Sequence, residues 1–228
     1  MGAAADKLRF LYLCAAHDLA AATRNVMNPG SDPITGSGSA LLREADRWLS
    51  GNVAYDQDGF PFANPISHTY GTRASGLSGA SLFAGQYLAP RNGTDGVALN
   101  RSFSLPAPAN VFYGSSGNPT KRLEVGYPGQ SVVFHGVATT TFDAGFLAFG
   151  RDGTSALGWV DGVPANSPQT TAQPTINFTA SGARGYVSYS PALRVSIHCI
   201  GETMTDAEVS TLNTAFRNYL TAIGAPVA

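Results

Sequence analysis

The side chains able to do chemistry are scattered along this chain, and few stand at the spacings that chemistry requires. Tyr55-Asp56-Gln57-Asp58-Gly59 has the D-x-D-G opening of several calcium loops, where crowded oxygen ligands hold a hard cation. Asp56 and Asp58 are the weak metal candidates. An EF-hand needs a glutamate six residues past the glycine, and Pro65 stands there, so an ordinary Asp-Gly turn is the simpler reading. Gly76-Leu77-Ser78-Gly79 and Gly114-Ser115-Ser116-Gly117 each break the G-x-S-x-G elbow of serine hydrolases. His17, His68, His135 and His198 form no H-x-x-x-H pair, so no zinc site is expected. His198 alternates within an apolar run and reads as a structural histidine. A retaining glycosidase must place two carboxyl groups about 5 Å apart across one bond. Here Glu124 is alone on its run, Asp152 and Asp161 fall in turns, Glu44 and Asp46 lie near the N terminus, and Asp206 and Glu208 open a helix. The residues predict no enzyme and no cofactor.

These groups sit on a chain of 228 residues, long enough for one sizeable all-β core. Charged residues make up 13% of it, about half the roughly 25% of ordinary soluble domains, and glycine is abundant at 26 residues. Net charge is -1, and no basic cluster exceeds Lys121-Arg122, which excludes an electrostatic nucleic-acid binder or a polybasic membrane binder. No apolar run approaches membrane-spanning length, so no membrane insertion is expected. With 43% hydrophobic residues the chain has enough apolar surface to fold. The apolar run 8–16 is cut short by His17 and Asp18 and reads as structure rather than as a secretory signal. Cys14 and Cys199 fit no metal motif. They pair only if the first segment lies beside the last strand; otherwise they are buried thiols acting as small hydrophobes. Sequons at Asn92, Asn100 and Asn177 read as chance matches in a Ser/Thr-rich chain.

Three zones follow from composition. Residues 1–50 form an N-terminal arm with two helix-like pieces, one over 6–26 and one over 40–49, where Leu41, Leu42, Ala45 and Trp48/Leu49 take helical spacing. The stretch 27–39 between them is rich in Gly, Pro and Ser. Leu8, Phe10, Leu13, Leu42 and Trp48 make the arm too apolar to stay in water, so it must pack on its own domain or on a neighbouring copy. On this reading, removal of 1–50 leaves a folded body that no longer assembles.

Residues 51–228 form the main domain. Short alternating runs at 97–105, 121–127, 130–134, 145–149, 156–160, 175–178, 186–189 and 195–200 are separated by turn dipeptides such as Asn92-Gly93, Asp152-Gly153 and Asp161-Gly162. Many short strands at this spacing predict an antiparallel β-sandwich or jelly roll. Thr205-Asp206-Ala207-Glu208 is a capping box. Val209, Leu212, Phe216, Tyr219/Leu220 and Ile223 continue as one stripe to Gly224, which predicts a helix over 205–223.

Two of these segments resemble the concanavalin A-like (laminin-G-like) jelly-roll superfamily. Ala156-Leu157-Gly158-Trp159-Val160-Asp161-Gly162-Val163 is similar to its strand, Asp-Gly hairpin, strand element. Ser196-Ile197-His198-Cys199-Ile200-Gly201 followed by Met204-Thr205-Asp206-Ala207-Glu208-Val209 is similar to its last strand and the helix start that closes the domain. The continuation to Gly224 resembles the version found in bacteriophage virion proteins. The resemblance spans roughly 97–224 and implies a non-enzymatic virion structural protein, either head decoration (cement) or a tail or fibre component. Its partners would be copies of itself and other virion proteins, and its location the virion, assembled in the host cytoplasm. The alternative is a host-recognition lectin binding a surface glycan. Such a site needs an aromatic platform beside amides and charged groups, and Tyr87, Tyr113 and Tyr127 with Asn92, Asn118 and Arg151 are the candidates. Against them stands the ordinary fate of strand aromatics, which is to pack inward.

Overall fold

The computed structural model describes residues 2–29, 39–44, 47–52, 66–69, 76–89, 103–104, 109–112, 121–125, 131–134, 145–165, 169–170, 178, 184–188 and 195–227. Asp56, Asp58, Asn92, Tyr113, Asn118 and Tyr127 lie outside them, and of Leu42 and Trp48 only the backbone is described. The chain opens with α1 (Ala3–Lys7), β1 (Leu8–Tyr12) and α2 (Leu19–Ala22). Then come β2 (Ser39–Glu44), β3 (Arg47–Asn52), β4 (Ile66–Thr69), β5 (Ser81–Leu88), β6 (Phe103–Ser104), β7 (Ala109–Phe112), β8 (Lys121–Val125) and β9 (Ser131–Phe134). The last third holds β10 (Gly145–Asp152), β11 (Ser155–Val160), β12 (Val163–Pro164), β13 (Gln169–Thr170), β14 (Arg184–Ser188), β15 (Val195–Gly201) and α3 (Asp206–Ala222). The protein is mainly β, with a C-terminal helix, as the turn spacing and the capping box predict.

Among the described residues the strands form two sheets. The larger has nine strands in the order β12-β11-β10-β5-β15-β2-β3, with β1 also pairing β15 and β13 pairing β11. The smaller has six, in the order β4-β14-β6-β7-β8-β9. Neighbours run antiparallel except β15 and β2, which meet in parallel at Val195 and Ala40.

Both helix-like pieces expected in the arm are corrected. Over 6–26 the chain forms β1, whose Leu11 and Tyr12 face Cys199 and His198 of β15 across the ladder. Only short helical turns flank it. Over 40–49 it forms the β2–β3 hairpin, with Leu42 opposite Leu49 and Arg43 opposite Trp48. Leu8 and Phe10, expected to need a surface, find one within their own chain, at 2% and 0% exposure.

The core lies between α3 and one face of the large sheet. Phe83 and Tyr87 of β5, Phe146 and Ala148 of β10, Trp159 of β11, Ile197 and Cys199 of β15, and Leu8 and Leu11 of β1 meet Val209, Leu212, Phe216 and Leu220 of α3. Two strand glycines admit aromatic rings here. A Cβ on Gly85 would stand 2.8 Å from the Phe146 ring, and one on Gly150 would stand 2.7 Å from Trp159. Phe146 in turn meets Phe216 edge-on at 5.3 Å between centroids.

The helix start is fixed as its sequence predicts. Glu208 N–H donates to the Thr205 hydroxyl at 3.3 Å, and Thr205 N–H donates to the Glu208 carboxylate at 2.7 Å. The Asp161-Gly162 turn has positive φ at both residues, 51° and 79°, as a type I′ hairpin needs. It is tied to the helix, since the Asn213 side-chain amide donates to the Asp161 carbonyl at 2.7 Å. The Trp159 indole N–H donates to Asp206 at 2.9 Å.

Candidate binding cleft

The sequence-derived glycan candidates within the described residues are both enclosed. Tyr87 is 0% exposed in the α3-facing core, and Arg151 is 2% exposed on β10. Neither can serve as an open platform; alternation on a strand buried on both faces puts each side chain inside. The possible Cys14–Cys199 pair is not formed. β1 does lie beside β15, yet both thiols are free and buried. Cys14 Sγ is turned to the Tyr12 carbonyl at 3.8 Å and Cys199 Sγ to the Gly85 carbonyl at 3.5 Å. Burial pushes the Cys14 thiol up to about 12 and the Cys199 thiol higher still, so neither is a nucleophile near neutral pH. Among the described residues no three His, Cys, Asp or Glu side chains converge as metal ligands would.

His198 lies in the middle of β15, between Tyr12 of β1 and Gln86 of β5. Its Nδ1 is 3.1 Å from the Gln86 amide nitrogen, and its ring stacks on Tyr12 with centroids 6.1 Å apart. All three are fully buried, which fits the structural role the sequence suggests for His198.

An open cleft lies elsewhere, where the segment after β1 meets the end of α3. Its volume is about 640 Å³, within the usual range of small-molecule sites. Its walls combine small apolar side chains (Ala15, Ala16, Ala20, Ala21) with Leu13, Val26 and Ile223, and its polar groups are His17, Asp18, Arg24 and Tyr219.

Local sequence explains this shape. Ala15 N–H donates to the Ser196 carbonyl at 2.7 Å, which holds the segment against β15. The Asp18 carboxylate accepts from Ala21 N–H at 2.8 Å and so caps the single turn of α2. The Asn25 side-chain oxygen accepts from both Leu11 N–H and Met27 N–H at 3.1 Å, returning the chain to β1. The Tyr219 hydroxyl donates to the Ala15 carbonyl at 2.9 Å and joins α3 to the same segment. Burial, helped by the neighbouring Cys14, raises the Tyr219 hydroxyl above its ordinary value, so it stays a donor. His17 and Asp18 face each other at 3.4 Å on the exposed rim.

Of the arm and glycan-site residues expected from sequence, only Leu13 borders this cleft; His17, Tyr219 and Ile223 also line it, though the sequence offers them only as a lone histidine and as two residues of the helix stripe. Asp18 before Leu-Ala-Ala-Ala is a legible helix cap, but no spacing connects 17–24 to Tyr219, about two hundred positions on. Only the β1–β15 pairing brings them together.

No family model matches the chain, and no curated protein sequence matches it. Solved structures do. Domain 4 of an extracellular arabinanase from Geobacillus stearothermophilus, solved in complex with arabinotriose, is 16% identical, with a TM-score of 0.53 over 91% of this chain and 98% of that one. These likenesses are of fold alone. The binding domain of botulinum neurotoxin DC, solved with rat synaptotagmin II, is 8% identical, with a TM-score of 0.62 over 92% of this chain and 52% of that one. The binding domain of Paraclostridial Mosquitocidal Protein 1 is 9% identical, with a TM-score of 0.58 over 95% and 53%. The chain spans about half the length of those two toxin domains.

Proposed function

We propose that this chain is a non-enzymatic recognition domain of the jelly-roll β-sandwich class and that it binds a glycan. The observation carrying this reading is the likeness of nearly the whole chain to nearly the whole of an arabinanase domain solved with arabinotriose. Packing supports the sandwich. Phe10, Tyr12, Ala84, Ile200 and His198 alternate with the residues that meet α3, and all are 1% exposed or less, so the second face of the large sheet is covered too. In a sandwich the six-stranded sheet supplies that cover.

With Tyr87 enclosed, Tyr113 and Tyr127, together with Asn92 and Asn118, are the sequence candidates left for such a platform, and all four lie outside the described residues. The test is a glycan array with the full chain, followed by titration calorimetry with arabinotriose and with any glycan the array selects. Saturable binding lost in Tyr113→Ala or Tyr127→Ala, at an unchanged melting temperature, supports the reading. Release of reducing sugar from a bound polysaccharide, or no saturable binding to any glycan, overturns it.

A second reading places the same domain on a bacteriophage particle, among copies of itself and other virion proteins. It is supported by the resemblance of 196–224 to virion proteins, whose capped helix start is present here. Peptide mapping of purified particles tests it, and absence of this chain from the particles sinks it.

A further inference from the structure

We propose that the cleft between residues 13–26 and the end of α3 is a second ligand site, which takes a small monocarboxylate with an apolar body. It uses none of the residues on which the glycan reading rests. Three observations carry it.

The first is shape. Four alanines form much of the wall, and their short side chains leave the space of about 640 Å³ that longer residues would fill. The lining is rigid where it matters, because backbone or hydroxyl hydrogen bonds tie Ala15 to both β15 and Tyr219. A preformed apolar space with a few fixed polar groups is the usual form of a small-molecule site.

The second is charge. His17 and Asp18 face each other, and Asp18 is further engaged by the Ala21 amide. Arg24 is different. Among the described residues its guanidinium has neither a hydrogen bond nor an ion pair, although it borders an apolar space. An exposed guanidinium with no partner among the described residues, at the edge of an apolar space, is free to receive an anion, and its planar fork matches a carboxylate with two parallel N–H···O bonds.

The third is what the rim excludes. Asp18 lines the same cleft, so a doubly charged phosphate would meet more like charge there than a single carboxylate, which can turn both oxygens to Arg24. The body of the ligand then lies against Ala20, Ala21, Val26 and Ile223, where burial of C–H surface adds to affinity.

The test uses the full chain and two probes of one shape, 3-phenylpropionate and its uncharged amide, followed by heteronuclear NMR. The acid is expected to shift the amide resonances of Ala20, Ala21 and Arg24 saturably, and the amide to bind at least tenfold more weakly. Arg24→Gln, on an exposed side chain, should keep the melting temperature and bring the acid down to the level of the amide. Ala21→Phe, which fills the cleft, should abolish both. Equal binding of acid and amide, shifts confined to other residues, or no saturable shift with either probe each overturns the proposal. None of these outcomes bears on the glycan array.

Discussion

Removal of residues 1–16 should unfold this protein rather than trim an appendage. Leu8, Phe10, Leu11 and Tyr12 are 2%, 0%, 2% and 0% exposed. Burying one side chain of this size stabilises a fold by about 1.5–3 kcal/mol, so four contribute roughly 6–12 kcal/mol. That is an upper figure, since the unfolded chain already hides part of this surface. A whole domain is stable by only about 5–15 kcal/mol. The truncation also uncovers the β15 edge and breaks two ion pairs that join the ends of the chain, Lys7 with Glu208 and Arg9 with Glu202. Far- and near-ultraviolet circular dichroism of chain 17–228 should show lost tertiary signal and no cooperative melt. A synthetic 1–16 peptide added in trans should restore part of the signal, because β1 docks as a separate strand. A truncated chain melting cooperatively within about 3 °C of the full protein would show that β1 is not part of the core, since even 3 kcal/mol shifts a domain of this size by about 6–12 °C. The expectation from sequence, that a chain lacking 1–50 stays folded, is reversed by the pairing of β1.

Phe216→Ala empties the space under Phe146 and should cost about 3–5 kcal/mol by urea denaturation; an unchanged midpoint would show that α3 is not seated as described. Burial alone would raise the Glu208 carboxyl, but hydrogen bonds from Lys7 and Thr205 outweigh it and hold the group below its ordinary value. Its contribution is therefore complete above the unfolded glutamate value of about 4.3 and fades as pH falls through the lower folded value. Melting temperatures between pH 3 and 6 should fall less steeply in Glu208→Gln than in the parent, and parallel curves would contradict this. Thiol reagents at pH 8 should leave the native chain unlabelled and find two thiols once it is unfolded; rapid labelling of the native chain would show that Cys14 or Cys199 is not enclosed as described.

Local chemistry made part of this structure legible in sequence. The capping box and its stripe define α3 because both signals lie within one element and agree. Asp161-Gly162 defines its hairpin because few residues accept two positive φ angles in succession. The arm departs from its helical expectation for an equally physical reason. A short apolar run such as 8–16 suits a buried strand as well as a helix, and its alanines tip local propensity toward the helix. The partner that decides is β15, nearly two hundred residues away. At 40–49, Leu41, Leu42 and Trp48 fit helical spacing, but a hairpin sets Leu42 against Leu49 and Arg43 against Trp48 equally well. The cleft was invisible because Arg24 and Tyr219 share only a fold, not a spacing. Tyr87 met the common fate of strand aromatics.

The position of β15 also sets the order in which the protein can be made. This late strand pairs with β5 on one side and with both β1 and β2 on the other. While the ribosome is still adding residues short of Val195, β5 and β1 have been synthesised, yet the strand that separates them does not exist. Long-range pairing of this kind is slow to form, and an unpaired strand edge invites other chains. Nascent chains of this protein should therefore depend on holding factors until residue 201 has left the exit tunnel, and high-yield expression should respond to translation rate and chaperone supply more than to substitutions on the finished surface.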